Sequence, residues 1–328
     1  MKDRSVMQHD AWVRALIADR LGGCSDCNLL ASLNHRVYRV STPRGSRILK
    51  VGKVEGGRPF EAGARAVRDS LAKERLLLER LRIAGMPVPR VVLHDLESDS
   101  EPWLLMDDCG PSTVAQFVAP ADRTPVQQAT ARCLCEQMGR TLADLHRIEM
   151  PAAGEIEYDA SRGSLRFRPR DWRTLADRLT RVARGAVHRG WLTAAEMASF
   201  SQSFRPPETS VRLCHGDFHA VQAIVDDGQL RAVVDWQSAW AGDPLVDLAV
   251  AETNLAMYSS PEFLAAFRRA YEDRAVESPW LADCHRATRQ RLGLWQALAL
   301  VEVAERTGHA ALREQALGFL RREVGPFP

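Results

Sequence analysis

The stretch that decides the fold runs from Leu213 to Trp236, "LCHGDFHAVQAIVDDGQLRAVVDW". Its second half reads as a tight hairpin: Ile224 and Val225, an Asp226-Asp227-Gly228 turn, then Leu230, Ala232 and Val234 in alternation. Such a hairpin brings its flanking residues, Gln222 and Asp235, to the same end. Two oxygen ligands there suit Mg²⁺, which accepts few protein oxygens and completes its shell with water and phosphate. Asp217, on the preceding loop, is then placed to orient a substrate hydroxyl and accept its proton. Taken singly, each of these residues also reads as an ordinary polar residue of a turn or loop.

The spacing of His215 and His219 invites a zinc reading. Gly216 and the β context argue against a helical ligand pair, and no third ligand presents itself. "CSDC", Cys24 to Cys27, has metal-knuckle or redox spacing, but no second pair in suitable context follows, so the two read as ordinary thiols. Cys133 and Cys135 fall on different sides of a helix and read as inert.

Upstream, "RVYRVSTPRGSRILKVG" alternates Val37 and Val40 before a Pro-Arg-Gly turn and Ile48, Leu49 and Val51 after it, a β-hairpin pattern with Lys50 in the second strand. "DSLAKERLLLERLRIAG" is helical and stops at Gly85 before Pro87. At ~100° per residue, Leu71, Leu77, Leu78 and Leu81 lie within about 60° of Glu74, which puts a carboxylate at the centre of the apolar face. A carboxylate there needs a buried cation. Lys50 supplies one, as a strand lysine freed from solvent to bind α/β-phosphate oxygens and held by Glu74; an ordinary structural salt bridge is the alternative.

The rest of the chain divides by period. Trp12, Leu16, Ile17 and Leu21 predict an amphipathic helix over 9–21, and "VPRVVLHDL" and "PWLLMDD" two further strands. Beyond "CGPSTVAQF" helices dominate, over 122–149, 170–189, 192–204, 243–274 and 280–323, and the β signal returns only around the opening stretch. The boundary between strand-rich and helix-rich sequence falls near Asp107 and Asp108, so the reading is α+β with two lobes sharing a cleft: 1–107 nucleotide-binding, 108–328 catalytic and substrate-binding. Trp236 and Trp240 read as core or pocket lining. Glu252, Glu302 and Glu305 are candidates for recognising a cationic substrate, with a solvated helix face as the alternative, and Arg166, Arg168, Arg170 and Arg173 read as a solvated basic loop.

At 328 residues with 45% apolar and 26% charged residues, the chain buries a large core, and a net charge of +2 is too small to suggest a nucleic-acid binder. Seven scattered cysteines point to a reducing cytoplasm, and no apolar run approaches the ~20 residues that span a bilayer. The expectation is a cytoplasmic monomer or homodimer with no membrane or nucleic-acid partner.

The ordered series of motifs resembles the aminoglycoside phosphotransferase family, within the protein-kinase-like superfamily of small-molecule kinases. "LNHRVYRV" resembles the nucleotide-covering loop, "ILKV" the strand lysine, "KERLLLERL" the helix glutamate and "PWLLMDD" the strand leading to the hinge. "LADLH" resembles the helix end before the substrate lobe, "HGDFH" the catalytic loop, "VVDW" the second metal segment and "GDPLVDLA" the turn and helix after it. The resemblance implies a two-lobed kinase fold and transfer of a γ-phosphoryl from ATP (or GTP), with Mg²⁺, to a small hydroxylated molecule such as an antibiotic.

By the same resemblance Asp217 is the catalytic base, Asp235 the principal Mg²⁺ ligand and Lys50 the phosphate clamp with Glu74 its partner. Asn34 in the covering loop and Asp107 at the hinge complete the cofactor set. His215 braces the loop, while Asp243 and Asp247 cap and tie down the following helix. Gln222 stands where the family generally has Asn; the amide oxygen that magnesium needs is retained. That departure motivates a rival reading, a non-catalytic nucleotide-binding pseudokinase, and sugar or amino-alcohol kinases share the same motifs. A protein kinase is disfavoured, because "GDPLVDLA" begins only seven positions after the Asp235 of "VVDW".

Overall fold

The computed structural model describes residues 4–32, 35–53, 60–96, 101–119, 122–169 and 211–276, with isolated positions between 184 and 318. The chain forms two compact units: Met1–Pro111 with Glu157–Arg166 and Arg231–Gln237, and Ser112–Ile156 with Phe167–Leu230 and Ser238–Pro328. The helices expected over 170–189, 192–204 and 280–323 fall outside the continuously described residues, as do Glu302, Glu305, Arg170 and Arg173.

In the first unit, α1 (Arg4–Leu21) precedes β1 (Asp26–Ser32), β2 (His35–Thr42) and β3 (Gly45–Gly52). Then follow α2 (Phe60–Ile83), β4 (Val91–Asp95) and β5 (Trp103–Asp107). The five strands form one antiparallel sheet in the order β1-β2-β3-β5-β4. β1 is a correction to the sequence reading: six of its seven residues are exposed, so it carries no alternation to detect. It is held at the sheet edge by pairing with β2 alone.

Val13 and Ile17 of α1 are buried in one cluster with Tyr38, Val40, Leu49, Val51, Trp103 and Leu105. Leu71 and Ala72 of α2 form another with Leu96 and Leu104. β5 is therefore apolar at four successive positions because side chains of either parity are buried. Gly85, at φ 79°, ends α2, and Met86 N donates to Leu81 O at 2.9 Å.

The second unit holds β6 (Ser112–Thr113), α3 (Val114–Val118), α4 (Pro125–Leu145), β9 (Arg212–Cys214), β10 (Ala223–Asp226), β12 (Trp240–Gly242), α5 (Leu245–Tyr258) and α6 (Pro261–Ala275). Thr124 caps α4, accepting from Gln127 N at 3.3 Å. α4 and α6 approach closely at Gly139, where a Cβ would lie 2.3 Å from Phe267 O. β10 and β11 (Gln229–Val233) form the expected hairpin, with Asp227 and Gly228 at φ 49° and 67°, the left-handed pair that a two-residue turn of this hand requires.

Residues 154–169 correct the expectation of a helix-dominated region. They form β7 (Gly154–Asp159) and β8 (Ser164–Pro169) in a sheet of order β8-β7-β12-β9. Arg166 pairs with Glu157 at 2.7 Å and Arg168 with Glu155 at 2.5 Å, so these arginines are rungs of a hairpin rather than a loop cluster. Among the described residues no helix is long and apolar enough to cross a membrane.

Candidate active site

Lys50, Glu74 and Asp235 meet within the first unit. Lys50 Nζ donates to Glu74 Oε2 and to Asp235 Oδ1, both at 2.7 Å. Glu74 is 2% exposed among Leu71, Leu77, Leu78 and Leu81, as the helical spacing predicts. Burial works to lower the Lys50 pKa, but the charges and hydrogen bonds of Glu74 and Asp235 outweigh it and hold the pKa above the ordinary value. The ammonium thus stays charged while buried. An ammonium has three N–H donors, and these two carboxylates take two of them.

Asp235 has φ 70°, a left-handed conformation that few residues other than glycine adopt. It follows β11 and precedes the 3-10 turn Trp236–Ser238, where Trp236 is fully buried and its indole N–H donates to Val233 O at 2.9 Å. Lys73 Nζ donates to Gln237 O at 2.8 Å, fixing the same turn from α2. The backbone is thereby committed on both sides of Asp235, while its side chain remains 31% exposed.

His35 opens β2 and is 7% exposed; its Nε2 has no hydrogen-bond partner among the described residues. Burial first, then the Lys50 charge, bring its pKa down to about 4 against the pull of Asp235, so the imidazole is neutral at ordinary pH. Asn34 lies outside the described residues. The Asp107 carboxylate is engaged by Arg90 at 3.0 and 3.3 Å and approached by Arg47 at 3.8 Å, and its N–H donates to Arg90 O. The Asp107 carbonyl is met by the Cys109 thiol at 3.8 Å.

The next residue is tied differently. Asp108 accepts from Arg39 Nε at 2.8 Å and Ser46 Oγ at 2.6 Å, and Arg39 also donates to Gly110 O at 2.8 Å. Burial would raise the Asp108 pKa, but the Ser46 and Arg39 hydrogen bonds bring it below the ordinary value. This knot anchors the segment after β5 to the β2–β3 hairpin, and composition alone does not reveal it.

In the second unit the 215–222 loop is organised by its backbone. His215 N and Gly216 N donate to the two oxygens of Asp247 at 2.5 and 2.8 Å, and Ala220 N donates to Asn254 Oδ1 at 3.3 Å. Gly216, at φ 84°, is required: a Cβ there would sit 2.3 Å from Ser238 O. His215 is fully buried, its Nδ1 accepting from Asp217 N at 3.2 Å, so it does brace the loop. The Asp217 side chain is 43% exposed, with His219 Nε2 3.5 Å from its Oδ1. Gln222 N donates to His219 O at 2.9 Å, just before β10.

Asp247 corrects one expectation. Pro244 holds the N-cap position of α5, with Asp243 just before it accepting from Leu245 N at 3.0 Å, and Asp247 spends both oxygens on the loop some thirty residues earlier in the chain. His146, the end of "LADLH", stands 3.5 Å from Asp247 and bonds the Tyr271 hydroxyl at 2.8 Å through Nδ1. Tyr271 and Asn254 were missed; neither sits in a recognisable motif.

Glu252, read either as a solvated residue or as a cation-recognising one, is 2% exposed, and its carboxylate accepts from Arg268. His146, Cys214 and Asp247 bring three ligand-type atoms within 4.8 Å. They do not make a divalent-ion site, because both Asp247 oxygens already accept backbone N–H bonds, and burial followed by Asp247 and Asp243 pushes the Cys214 thiol far up.

A five-stranded antiparallel sheet with a buried lysine–glutamate pair, joined to a helical unit bearing an anchored Asp loop, defines an α+β protein-kinase-like fold. The chain belongs to the Phosphotransferase enzyme family, whose model matches residues 27–312, and it is a small-molecule kinase. It is 25% identical over 231 residues to an aminoglycoside 3'-phosphotransferase of Streptomyces fradiae, covering 70% of this chain and 78% of that protein. It is 29% identical over 177 residues to acyl-CoA dehydrogenase family member 11 of Gallus gallus, covering 51% of this chain but 21% of that protein. A thermostable mutant of aminoglycoside phosphotransferase APH(4)-Ia, solved with ADP and hygromycin B, superposes with a TM-score of 0.62 at 16% identity, covering 95% of this chain and 97% of that one.

Proposed function

We propose that the protein transfers the γ-phosphoryl group of ATP, or of GTP, to a hydroxyl of a small molecule, with an antibiotic as the first acceptor class. The observation that carries this reading is the state of Asp217: its loop is tied down through Asp247 and Asn254 while its carboxylate stays 43% exposed. A carboxylate on an anchored backbone yet open to solvent suits a base that must meet an incoming hydroxyl.

In the proposed reaction the acceptor O–H proton passes to Asp217 as the oxygen attacks the γ-phosphorus, and ADP leaves with the former bridging oxygen. Lys50 carries a fixed positive charge and one further N–H for a phosphate oxygen. The hinge carbonyl of Asp107 and the covering loop with Asn34 receive the base and phosphates in the N-terminal lobe, residues 1–107, and the acceptor binds in residues 108–328. Asp235 offers a carboxylate that is 31% exposed and Gln222 an amide oxygen, the hard oxygen ligands that Mg²⁺ takes, and on this reading these two residues would hold the ion. When bound, the ion neutralises phosphate charge.

The test is ADP release with MgATP against a panel of hygromycin B, neomycin, erythromycin, choline and simple sugars. Turnover with one panel member is expected, and Asp217→Asn should lower kcat on the order of a thousandfold. Nucleotide binding with no turnover across the panel in the wild type would favour the pseudokinase reading that Gln222 raises. A sugar or amino-alcohol acceptor is the second reading, since the series of motifs does not distinguish one acceptor hydroxyl from another.

A further inference from the structure

His219 lies two residues after Asp217, and both of its ring nitrogens face named groups. Val221 N donates to Nδ1 at 3.3 Å, and Nε2 stands 3.5 Å from Asp217 Oδ1. A ring nitrogen that accepts an N–H bond carries no hydrogen, so in the neutral imidazole the hydrogen sits on Nε2, directed at the carboxylate. The backbone that carries the ring is also tied down, because the His219 carbonyl accepts from Gln222 N at 2.9 Å. The 3.5 Å separation is a contact rather than a made hydrogen bond, as is common for catalytic pairs before substrate arrives.

We infer that His219 is a positioning residue for the base: its Nε2–H holds Asp217 Oδ1 and leaves the other carboxylate oxygen for the acceptor hydroxyl. The inference rests on the proposed role of Asp217. Through the transfer His219 neither gains nor loses a proton; the acceptor proton ends on Asp217. The bland alternative is that His219 serves only the loop, as an acceptor for Val221 N–H.

The two roles use different nitrogens and can be separated by side-chain length. The Gln amide nitrogen reaches about where Nε2 lies, while the Asn amide oxygen mimics only Nδ1. For a positioning residue, His219→Ala and His219→Asn lower kcat by about ten- to a hundredfold with KM little changed, and His219→Gln recovers most of the loss. Recovery by Asn and not by Gln overturns the inference, as does a loss in all three variants that follows their melting temperatures.

Rates are read by ADP release with MgATP and the fastest acceptor of the panel above, or with MgATP and water if no panel member is turned over. Independently of any acceptor, long-range ¹H–¹⁵N correlation spectra of histidine-labelled protein, assigned by the signal lost in His219→Gln, are expected to show the Nε2–H form. An Nδ1–H form overturns the inference. Asp217→Asn separates the two readings: if it keeps more than a tenth of the wild-type rate, the base assignment itself fails. If it is inactive while the His219 pattern is reversed, only the present inference fails.

Discussion

The Lys50 cluster of the first unit and the 215–222 loop of the second hold their functional groups in opposite ways. In the first, one buried ammonium is balanced by two carboxylates at 2.7 Å, and Asp235 is held through its side chain as well as its backbone. In the second, Asp217 is held through its backbone, and the charge that fixes the loop belongs to Asp247, which is fully buried. The difference follows from the tasks. On the proposed reading, groups that would bind a polyanion and a cation are ready when their charges are already paired and exchangeable, whereas a base works when one oxygen of its carboxylate is left uncommitted.

The contrast is broken most severely by removing the shared cation. Lys50→Met leaves Glu74 unpaired at 2% exposure, and the expected loss of stability is about 4 kcal/mol by denaturant titration. A loss below about 1 kcal/mol would mean that the carboxylates are not compensated by Lys50 at all. Asp247→Asn tests the other region. An amide cannot accept both N–H bonds from His215 and Gly216, so stability should fall by about 3 kcal/mol and kcat with it, although Asp247 touches no substrate in this reading.

His35 gives the comparison a pH axis. Its pKa stands at about 4 in the folded chain against an ordinary value of 6.5. The unfolded chain therefore takes up a proton first, so this contribution to stability is complete above pH 6.5 and is lost as the pH falls toward 4. The loss is about 3 kcal/mol in the nucleotide-free protein. Between pH 7.5 and pH 4.5 the wild type should lose about 3 kcal/mol relative to His35→Gln by denaturant titration, and parallel curves would remove His35 from the account. The smallest effect is reserved for Glu157→Ala, which breaks the exposed Arg166 pair and should cost less than about 1 kcal/mol. It calibrates how far burial, rather than charge count, separates the two kinds of ion pair.

How much of this was legible along the chain depended on the range of the interaction. Glu74 could be placed on the apolar face of α2 by helical arithmetic, because one helix decides it, and the Asp227-Gly228 turn was readable because two adjacent left-handed residues suit few other settings. The extent of α1, from Arg4 rather than residue 9, and the edge strand β1 were poorly marked, since an exposed element has no buried face to impose a period. The β7–β8 hairpin was hidden for a related reason: its Glu and Arg rungs read as solvated charge until a register pairs them.

The site divides along the same line. The amino-acid sequence by itself determined the kinase-like order of motifs, the Lys50–Glu74 pairing and the candidates Asp217, Gln222 and Asp235, because these rest on residue chemistry at short spacing or on a fixed order. Only the tertiary structure decided that Asp235 shares Lys50 with Glu74, that Asp247 serves the 215–222 loop instead of its own helix, and that His219 presents separate nitrogens to Val221 and Asp217. A hydrogen bond selects its partner by distance and direction in space. Residues 50 and 235, or 215 and 247, acquire those only once the chain between them has folded.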